Sequence, residues 1–346
     1  MGWNIETYLL FHFILTIGRC IAWKAEWVRL SPPQRISPRR SGLVSVVGAQ
    51  PPLVFGGYAE DGDSRESYQR YVVNDLWKWE DRQWNKVVTT GDEPAPRLVG
   101  TAAVLGPDNT KAYLIGGWNS NAKDPAEMFL NTVHELDLDS MQWRKLPAVL
   151  PEGPASRHVC VVLDDTILLH THRCTDYVWL WNGQEFIKQS TTGPCPSPRG
   201  LHAACRVGKN QVVIFGGAAQ DGTMSSQVFS LNTDTWTWRE IKPINDGPSP
   251  RASPCIGALD ESHVLIYGGA EAVDGGLYPH GDVWSMNLET CEWTCLVPSD
   301  NPSAPPPRNG AALLPQDSGE FLLTGGWAPF VETWDDCHLL KVKPDS

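Results

Sequence analysis

The sequence predicts an all-β fold, a six-bladed β-propeller made of four-stranded antiparallel blades. Three observations predict this fold: one phrase recurs six times along the chain, most copies contain a Gly-Gly pair, and the segments between the pairs have strand-like patterns. No helical periodicity occurs after residue 23. Because one four-stranded sheet cannot bury both of its faces, we expect the six sheets to cover one another around a central axis.

Each copy begins with an arginine that leads into a small, apolar segment, which we assign to strand a of the blade. Four of these arginines precede the first glycine of a pair by seventeen residues, whereas Arg97 precedes Gly116 by nineteen. In the third copy His170-Thr171 replaces the pair, thirteen residues after the arginine. The six arginines are Arg39, Arg97, Arg157, Arg199, Arg251 and Arg308.

The rest of each copy reads as three further strands, b to d. Strand b is a continuous apolar run into the glycine pair, as in residues 212–215, and such runs indicate burial on both faces. Strand c alternates polar and apolar residues, as in residues 282–286, which matches the two-residue period of a strand. Strand d carries a Trp phrase, as in residues 238–241.

The two ends of the chain are predicted to meet in one blade. The sixth copy supplies strands a, b and c, and then the chain ends. A phrase that fits strand d lies near the N-terminus, so we expect about residues 24–30 to complete the last blade and remove two unpaired sheet edges. The chain then divides into an apolar N-terminal extension, residues 1–23, and a single propeller domain, residues 24–346.

The glycine pairs, the aromatic strand after them and the Trp phrase resemble kelch repeats. Over about residues 24–341 the chain is similar to stand-alone six-bladed kelch propellers. The resemblance implies the fold and says little about activity, because this fold carries unrelated functions. It also implies that arginines near the channel mouth can contact a ligand, as they do in kelch domains that recruit acidic peptides.

The variable connections are predicted to lie on one side of the propeller, which we call the loop face. Long loops between strands b and c and Pro-rich links between strand d and the next strand a both reach this side; the long loops are residues 58–73, 118–131 and 270–281. A rigid scaffold that presents variable loops is typical of a binding surface. We therefore predict a monomeric, non-enzymatic interaction module that binds a peptide or protein partner on the loop face.

Two sets of side chains on the loop face are candidate contacts. The six arginines could ring the channel mouth and bind a carboxylate or phosphate of an acidic partner. Alternatively, each arginine satisfies backbone carbonyls or stacks on a Trp as a fixed part of the repeat. Tyr58, Trp118 and Trp327 directly follow glycine pairs and are typical interface anchors, or else they cap the core at the blade end.

An enzyme or metal-assisted specifier protein, with its site at the channel mouth, is the alternative function. His170, His172 and Cys174 share one strand face, but successive positions are roughly 6.6 Å apart, too far for all three to bind one zinc. Some plant kelch proteins bind iron with Glu-x3-Asp-x3-His, and both partial matches here have another residue in the third place, Trp143 or Leu340. We expect no metal and no cofactor.

Composition narrows the partners and the location. The formal net charge is −12, from 28 Lys+Arg against 40 Asp+Glu, and the sequence contains no basic run. We therefore expect no binding to nucleic acid or to an anionic membrane surface. The apolar run of residues 8–17 is too short to span a bilayer. It fits a signal peptide cleaved after Ala22, although Glu6 precedes it without any Lys or Arg. We expect a cytoplasmic protein, with secretion through residues 1–22 as the alternative.

Overall fold

The computed structural model describes residues 22–30, 34–37, 39–61, 69–105, 110–316, 319–329 and 331–345. These residues form strands throughout, with one short 3₁₀ helix at Pro125–Glu127, which confirms the all-β class. In this part of the chain no helix is long and apolar enough to cross a membrane. The predicted extension, residues 1–23, and the predicted signal peptide, residues 1–22, lie mostly outside the described residues, which begin at Ala22. Trp23, the last residue of the predicted extension, already belongs to the first strand.

The strands follow one another at short intervals along the chain. In the first half they are β1 (Trp23–Arg29), β2 (Arg39–Ser41), β3 (Val44–Val47), β4 (Leu53–Phe55), β5 (Tyr58–Asp61), β6 (Gln69–Val72), β7 (Leu76–Glu80), β8 (Gln83–Val87), β9 (Thr90–Gly91), β10 (Thr101–Leu105), β11 (Lys111–Trp118), β12 (Phe129–Asp137), β13 (Gln142–Val149), β14 (Val159–Val162), β15 (Ile167–His170), β16 (Tyr177–Trp181) and β17 (Phe186–Ser190). In the second half they are β18 (Ala203–Val207), β19 (Gln211–Phe215), β20 (Val228–Asn232), β21 (Thr237–Ile241), β22 (Cys255–Ala258), β23 (His263–Tyr267), β24 (Ala270–Val273), β25 (Gly276–Pro279), β26 (Val283–Asn287), β27 (Glu292–Val297), β28 (Ala312–Pro315), β29 (Glu320–Thr324), β30 (Trp327–Ala328), β31 (Glu332–Thr333) and β32 (Cys337–Pro344).

Each sequence repeat forms four antiparallel strands in the order a to d. Repeats one to six are β3-β4-β7-β8, β10-β11-β12-β13, β14-β15-β16-β17, β18-β19-β20-β21, β22-β23-β26-β27 and β28-β29-β32-β1. Repeats one and two also join through parallel pairing of β3 with β10. Apolar side chains of adjacent repeats interlock, as where Phe215 of repeat four and Trp293 of repeat five meet with ring centroids 5.7 Å apart. The cores therefore lie between neighbouring sheets.

Strand β1 is the outermost strand of repeat six. It pairs antiparallel with β32 along its whole length, from Trp23 opposite Pro344 to Arg29 opposite His338. The ring of Trp27 also packs edge-on against Tyr267 of repeat five, with centroids 5.1 Å apart. The first and last strands of the described chain thus share one sheet.

A cycle of backbone hydrogen bonds links the beginnings of the a strands. One residue of each repeat donates its N–H to the carbonyl of the corresponding residue in the preceding repeat, and the first repeat donates to the last. All of these residues have φ between 45° and 61°, the left-handed region that glycine adopts most readily. We call this set the channel ring; its members are Gly42, Val99, Arg157, Leu201, Ser253 and Gly310.

Val99 is the β-branched member of the channel ring, where its φ is 45°. A left-handed conformation costs a residue with a side chain roughly 1–2 kcal/mol, so we expect Val99→Gly to raise the free energy of unfolding by about 1 kcal/mol. Urea unfolding measures the change. Val88→Gly serves as the control, because Val88 is exposed and has no positive φ, and glycine there should lower stability. Equal losses for both variants would contradict the prediction.

The glycine pairs are required where one repeat meets the next. The second glycine donates its N–H to a carbonyl of the following repeat, as Gly217 does to Arg251 O at 2.9 Å. The first glycine has φ 70° at Gly216, and a Cβ there would lie 2.8 Å from the same oxygen. A side chain would therefore collide with the neighbouring link, which explains why the pair recurs.

Candidate functional site

Five arginines are buried in the same arrangement. Each is at most 3% exposed, and each donates from a guanidinium nitrogen to the carbonyl of the first glycine of its repeat, as Arg251 Nη1 does to Gly268 O at 3.0 Å. The interpretation that the repeat arginine satisfies backbone carbonyls therefore describes these side chains, which are not exposed to a partner. The five are Arg40, Arg97, Arg199, Arg251 and Arg308.

Repeat one uses Arg40 in this role, not Arg39, so that assignment from the sequence is corrected. Arg40 is fully buried, and its Nη1 lies 2.7 Å from Asp75 Oδ1. Arg39 lies beside it in β2 with its side chain 22% exposed, and its Nη1 is 3.8 Å from Glu332 Oε1. Because successive side chains of a strand point to opposite faces, a shift of one residue exchanges the buried and the outer arginine.

Repeat three departs from the pattern more strongly, and its assignment is also corrected. Elsewhere the second glycine of a pair donates its N–H to the carbonyl of the buried arginine in the following repeat. Gly117 N–H donates to Ala155 O, so Ala155 takes the arginine position in repeat three. Strand pairing puts His170 opposite Val159. In this register His170 is the residue just before the two glycine positions. Thr171 and His172, not His170-Thr171, therefore replace the glycine pair.

The arginine of repeat three, Arg157, belongs to the channel ring instead. It is exposed, its φ is 61°, and no other described residue accepts a hydrogen bond from its guanidinium or pairs with its charge. The remaining ring members are apolar or small, so Arg157 is the one charged residue of the ring. Its positive charge stands at the channel mouth on the loop face without compensation.

A cavity of about 540 Å³ opens beside Arg157 on the loop face. Loops of repeats two, three and four form its walls, and no Asp or Glu occurs among its described lining residues. Arg173 lies in the wall and donates from Nη2 to Pro154 O at 3.0 Å. Phe129, which is 50% exposed, supplies an aromatic wall. The cavity combines positive charge with an apolar surface.

Buried histidines lie in repeats three and four, two of the three repeats that form the cavity. His170 Nδ1 is 3.1 Å from His202 Nε2, and His158 Nε2 is 3.1 Å from Thr101 Oγ1. Burial lowers the pKa of His158 to about 4 and that of His170 to about 3, so both rings are neutral at pH 7. Cys174 turns back to accept a hydrogen bond from Thr171 N–H. Within the described chain no three His, Cys, Asp or Glu side chains are placed to hold a metal ion.

The three candidate aromatics are half-buried and lie where loop and blade meet. The backbone of each aromatic residue pairs with the residue that directly follows a buried arginine, which fixes its position. The pairs are Tyr58 with Ser41, Trp118 with Leu98 and Trp327 with Asn309. The ring of Trp118 also stacks on Phe129, with centroids 6.4 Å apart and planes 19° apart. Trp118 is therefore the candidate that adjoins the cavity.

Phe129 and Arg173 had no counterpart in the sequence-based prediction. Phe129 begins β12, within the predicted loop of residues 118–131, and Arg173 lies in a turn after β15. Both segments differ from repeat to repeat, so the repeat pattern gives no signal for them. Two sequence signals marked repeat three as different: the missing glycine pair and the thirteen-residue spacing after Arg157, four fewer than in most copies.

Comparisons with known proteins agree with this architecture. The family model described as the KLHDC2/KLHL20/DRC7 Kelch-repeats domain matches residues 19–171 and 170–346. Kelch domain-containing protein 2 of Bos taurus is 27% identical over 84% of this chain and 76% of that protein. Adagio-like protein 1 of Oryza sativa subsp. japonica is 26% identical over 85% of this chain, which spans 47% of that longer protein.

Among solved structures, that of YjhT matches 90% of this chain and 99% of its own, with a TM-score of 0.66 at 14% identity. That likeness concerns the fold alone. The family model, in contrast, covers nearly the whole sequence in two consecutive matches. The chain belongs to the kelch-repeat family.

Proposed function

We propose that this protein is a six-bladed propeller, closed by β1, that binds an acidic segment of a protein partner on its loop face. The cycle of hydrogen bonds through the channel ring and the pairing of β1 with β32 support the closed ring of six blades. Kelch-repeat proteins are generally protein-interaction modules, which supports the kind of function. In this proposal residues 24–346 are one domain of a monomeric, cytoplasmic and non-enzymatic scaffold.

The uncompensated charge of Arg157 is the observation that carries the proposal. The protein has a net charge of −12, yet the cavity beside Arg157 has no acidic side chain in its described lining. A guanidinium binds a carboxylate through two parallel hydrogen bonds, which gives both strength and orientation. We therefore infer that a partner's Asp or Glu reaches Arg157.

The aromatic wall provides the second part of the proposed contact. Phe129 and Trp118 stack at the cavity edge, and exposed aromatic side chains next to a charged group are typical anchors of protein interfaces. Tyr58 and Trp327 lie on the same face in repeats one and six and extend the candidate surface around the channel.

Substitution of Arg157 tests the proposal. We expect Arg157→Ala to weaken partner binding by about 10- to 100-fold, since a charge-assisted hydrogen bond contributes about 1.5–3 kcal/mol. The partner is identified by affinity purification with the wild-type protein, and its affinity for purified variants is then measured by calorimetry. The melting temperature should hardly change, because the Arg157 side chain has no internal partner among the described residues.

Arg82→Ala is the matched control. Arg82 is also exposed and has φ 60°, but it lies in the turn between β7 and β8, at the opposite end of the blade. The Arg82→Ala variant should bind the partner with the affinity of the wild-type protein. Equal affinity of the Arg157 and Arg82 variants for the partner would refute the proposed site.

A further inference from the structure

Three repeats hold a carboxylate between two donors at the beginning of strand c. In repeat five Asp282 accepts from Arg251 Nη1 at 2.6 Å and from Trp284 Nε1 at 2.8 Å. In repeat six Asp336 accepts from Arg308 Nη1 at 2.5 Å and lies 2.8 Å from His338 Nε2. Repeat one has the same arrangement, with Asp75 between Arg40 and Trp77. The buried arginine of each repeat is thereby neutralised.

Repeat two has both donors, but threonine replaces the aspartate. Val133 lies opposite Ile115 as Val283 lies opposite Tyr267, so Thr132 takes the place of Asp282. His134 follows two residues later, as His338 follows Asp336. Repeat two thus keeps the arginine and the histidine of this arrangement and lacks only the carboxylate.

Three buried polar atoms of repeat two have no hydrogen-bond partner among the described residues. They are Arg97 Nη2, Thr132 Oγ1 and His134 Nδ1. The other nitrogens of Arg97 are used, because Nε donates to Ala95 O at 3.1 Å and Nη1 donates to Gly116 O at 2.9 Å. Arg97 is fully buried, so its Nη2 cannot turn to bulk water. Unpaired buried groups of this kind are costly, and these three side chains occupy the positions of Arg308, Asp336 and His338 in repeat six, which indicates a missing acceptor.

The electrostatics of this position favour an anion. Burial lowers the pKa of Arg97 to about 10, so the guanidinium still carries its charge at pH 7. Burial, and after it the positive charge of Arg97, lowers the pKa of His134 to about 4. His134 is therefore neutral and has one N–H to donate. A single positive charge with hydroxyl and imidazole donors beside it suits one monovalent anion.

We propose that repeat two binds a chloride-sized monovalent anion between Arg97, Thr132 and His134. The threonine side chain is one bond shorter than aspartate, so the room it leaves suits a single-atom anion and not a larger oxyanion. The anion performs the role that Asp75, Asp282 and Asp336 perform in their repeats. Nothing in this site depends on the partner-binding function.

Chloride dependence of stability tests the site. Melting temperatures are measured at constant ionic strength while sodium chloride replaces sodium gluconate, whose anion is too large for the site. We expect chloride to raise the melting temperature of the wild-type protein by about 2 °C or more relative to Thr132→Asp, because a ligand of the folded state stabilises it. Thr132→Asp supplies its own carboxylate, so chloride should not stabilise it further.

Thr294→Asp is the matched control, because it adds the same charge at an exposed position in β27. It should keep the chloride response of the wild-type protein. The proposal would be overturned if chloride raised the melting temperature of Thr132→Asp as much as that of the wild-type protein. It would also be overturned if chloride did not raise the melting temperature of the wild-type protein. A crystal grown in sodium bromide gives a second reading that does not depend on a variant. An anomalous peak within hydrogen-bonding distance of Arg97 Nη2 is expected, and its absence would also overturn the site.

Discussion

Removal of β1 is expected to lower the melting temperature by about 10 °C or more, or to prevent folding. The strand pairs with β32 along its full length, and Trp27 packs against Tyr267 in the neighbouring repeat. Loss of a packed Trp alone costs about 3–5 kcal/mol. The deletion also exposes the edge of β32, which invites association with other chains.

The experiment compares two truncated proteins. One begins at residue 34 and lacks β1, and the control begins at residue 22 and retains it. Thermal unfolding and size-exclusion chromatography report stability and association. Addition of a synthetic peptide of residues 22–30 to the shorter protein should restore part of the lost stability. If both truncated proteins melt at the same temperature, β1 does not close the ring.

The strands and their order could be read from the sequence because each follows from local pattern. Apolar runs, alternation and glycine pairs are imposed on every repeat by burial and by close contact between neighbours. The position of β1 followed from counting, since the last repeat lacked a strand that the N-terminus could supply. Repetition gave each inference several independent copies.

The side chains at the channel mouth were harder to predict than the strands. A shift of one residue decides which side chain is buried and which one faces the channel. Spacing pointed to Arg39, seventeen residues before Gly56, although Arg40 is the buried arginine, and one residue of register exchanges the two faces of a strand. Arg157 fitted the sequence phrase, although Ala155 takes the buried position and Arg157 the channel ring. Phe129 joins the cavity only through contacts among three repeats, which no repeat pattern contains.

The buried arginines are expected to matter for stability. Asp282→Ala should lower the free energy of unfolding by about 3–5 kcal/mol, because it leaves Arg251 charged, buried and without its carboxylate. Trp284 Nε1 loses its acceptor at the same time. Urea unfolding measures the loss, and Asp300→Ala, at an exposed position, should change stability little.

The double variant Arg251→Met, Asp282→Ala separates the cost of an unpaired charge from the value of the pair. If the unpaired guanidinium causes the loss, removal of that charge should recover part of the stability, so the double variant should unfold less easily than Asp282→Ala. A double variant that is less stable than Asp282→Ala would instead mean that the contact of Arg251 with Gly268 O stabilises the repeat without the carboxylate. Arg97 would then need no anion to be tolerated in repeat two, so this cycle also bears on why threonine can replace aspartate there.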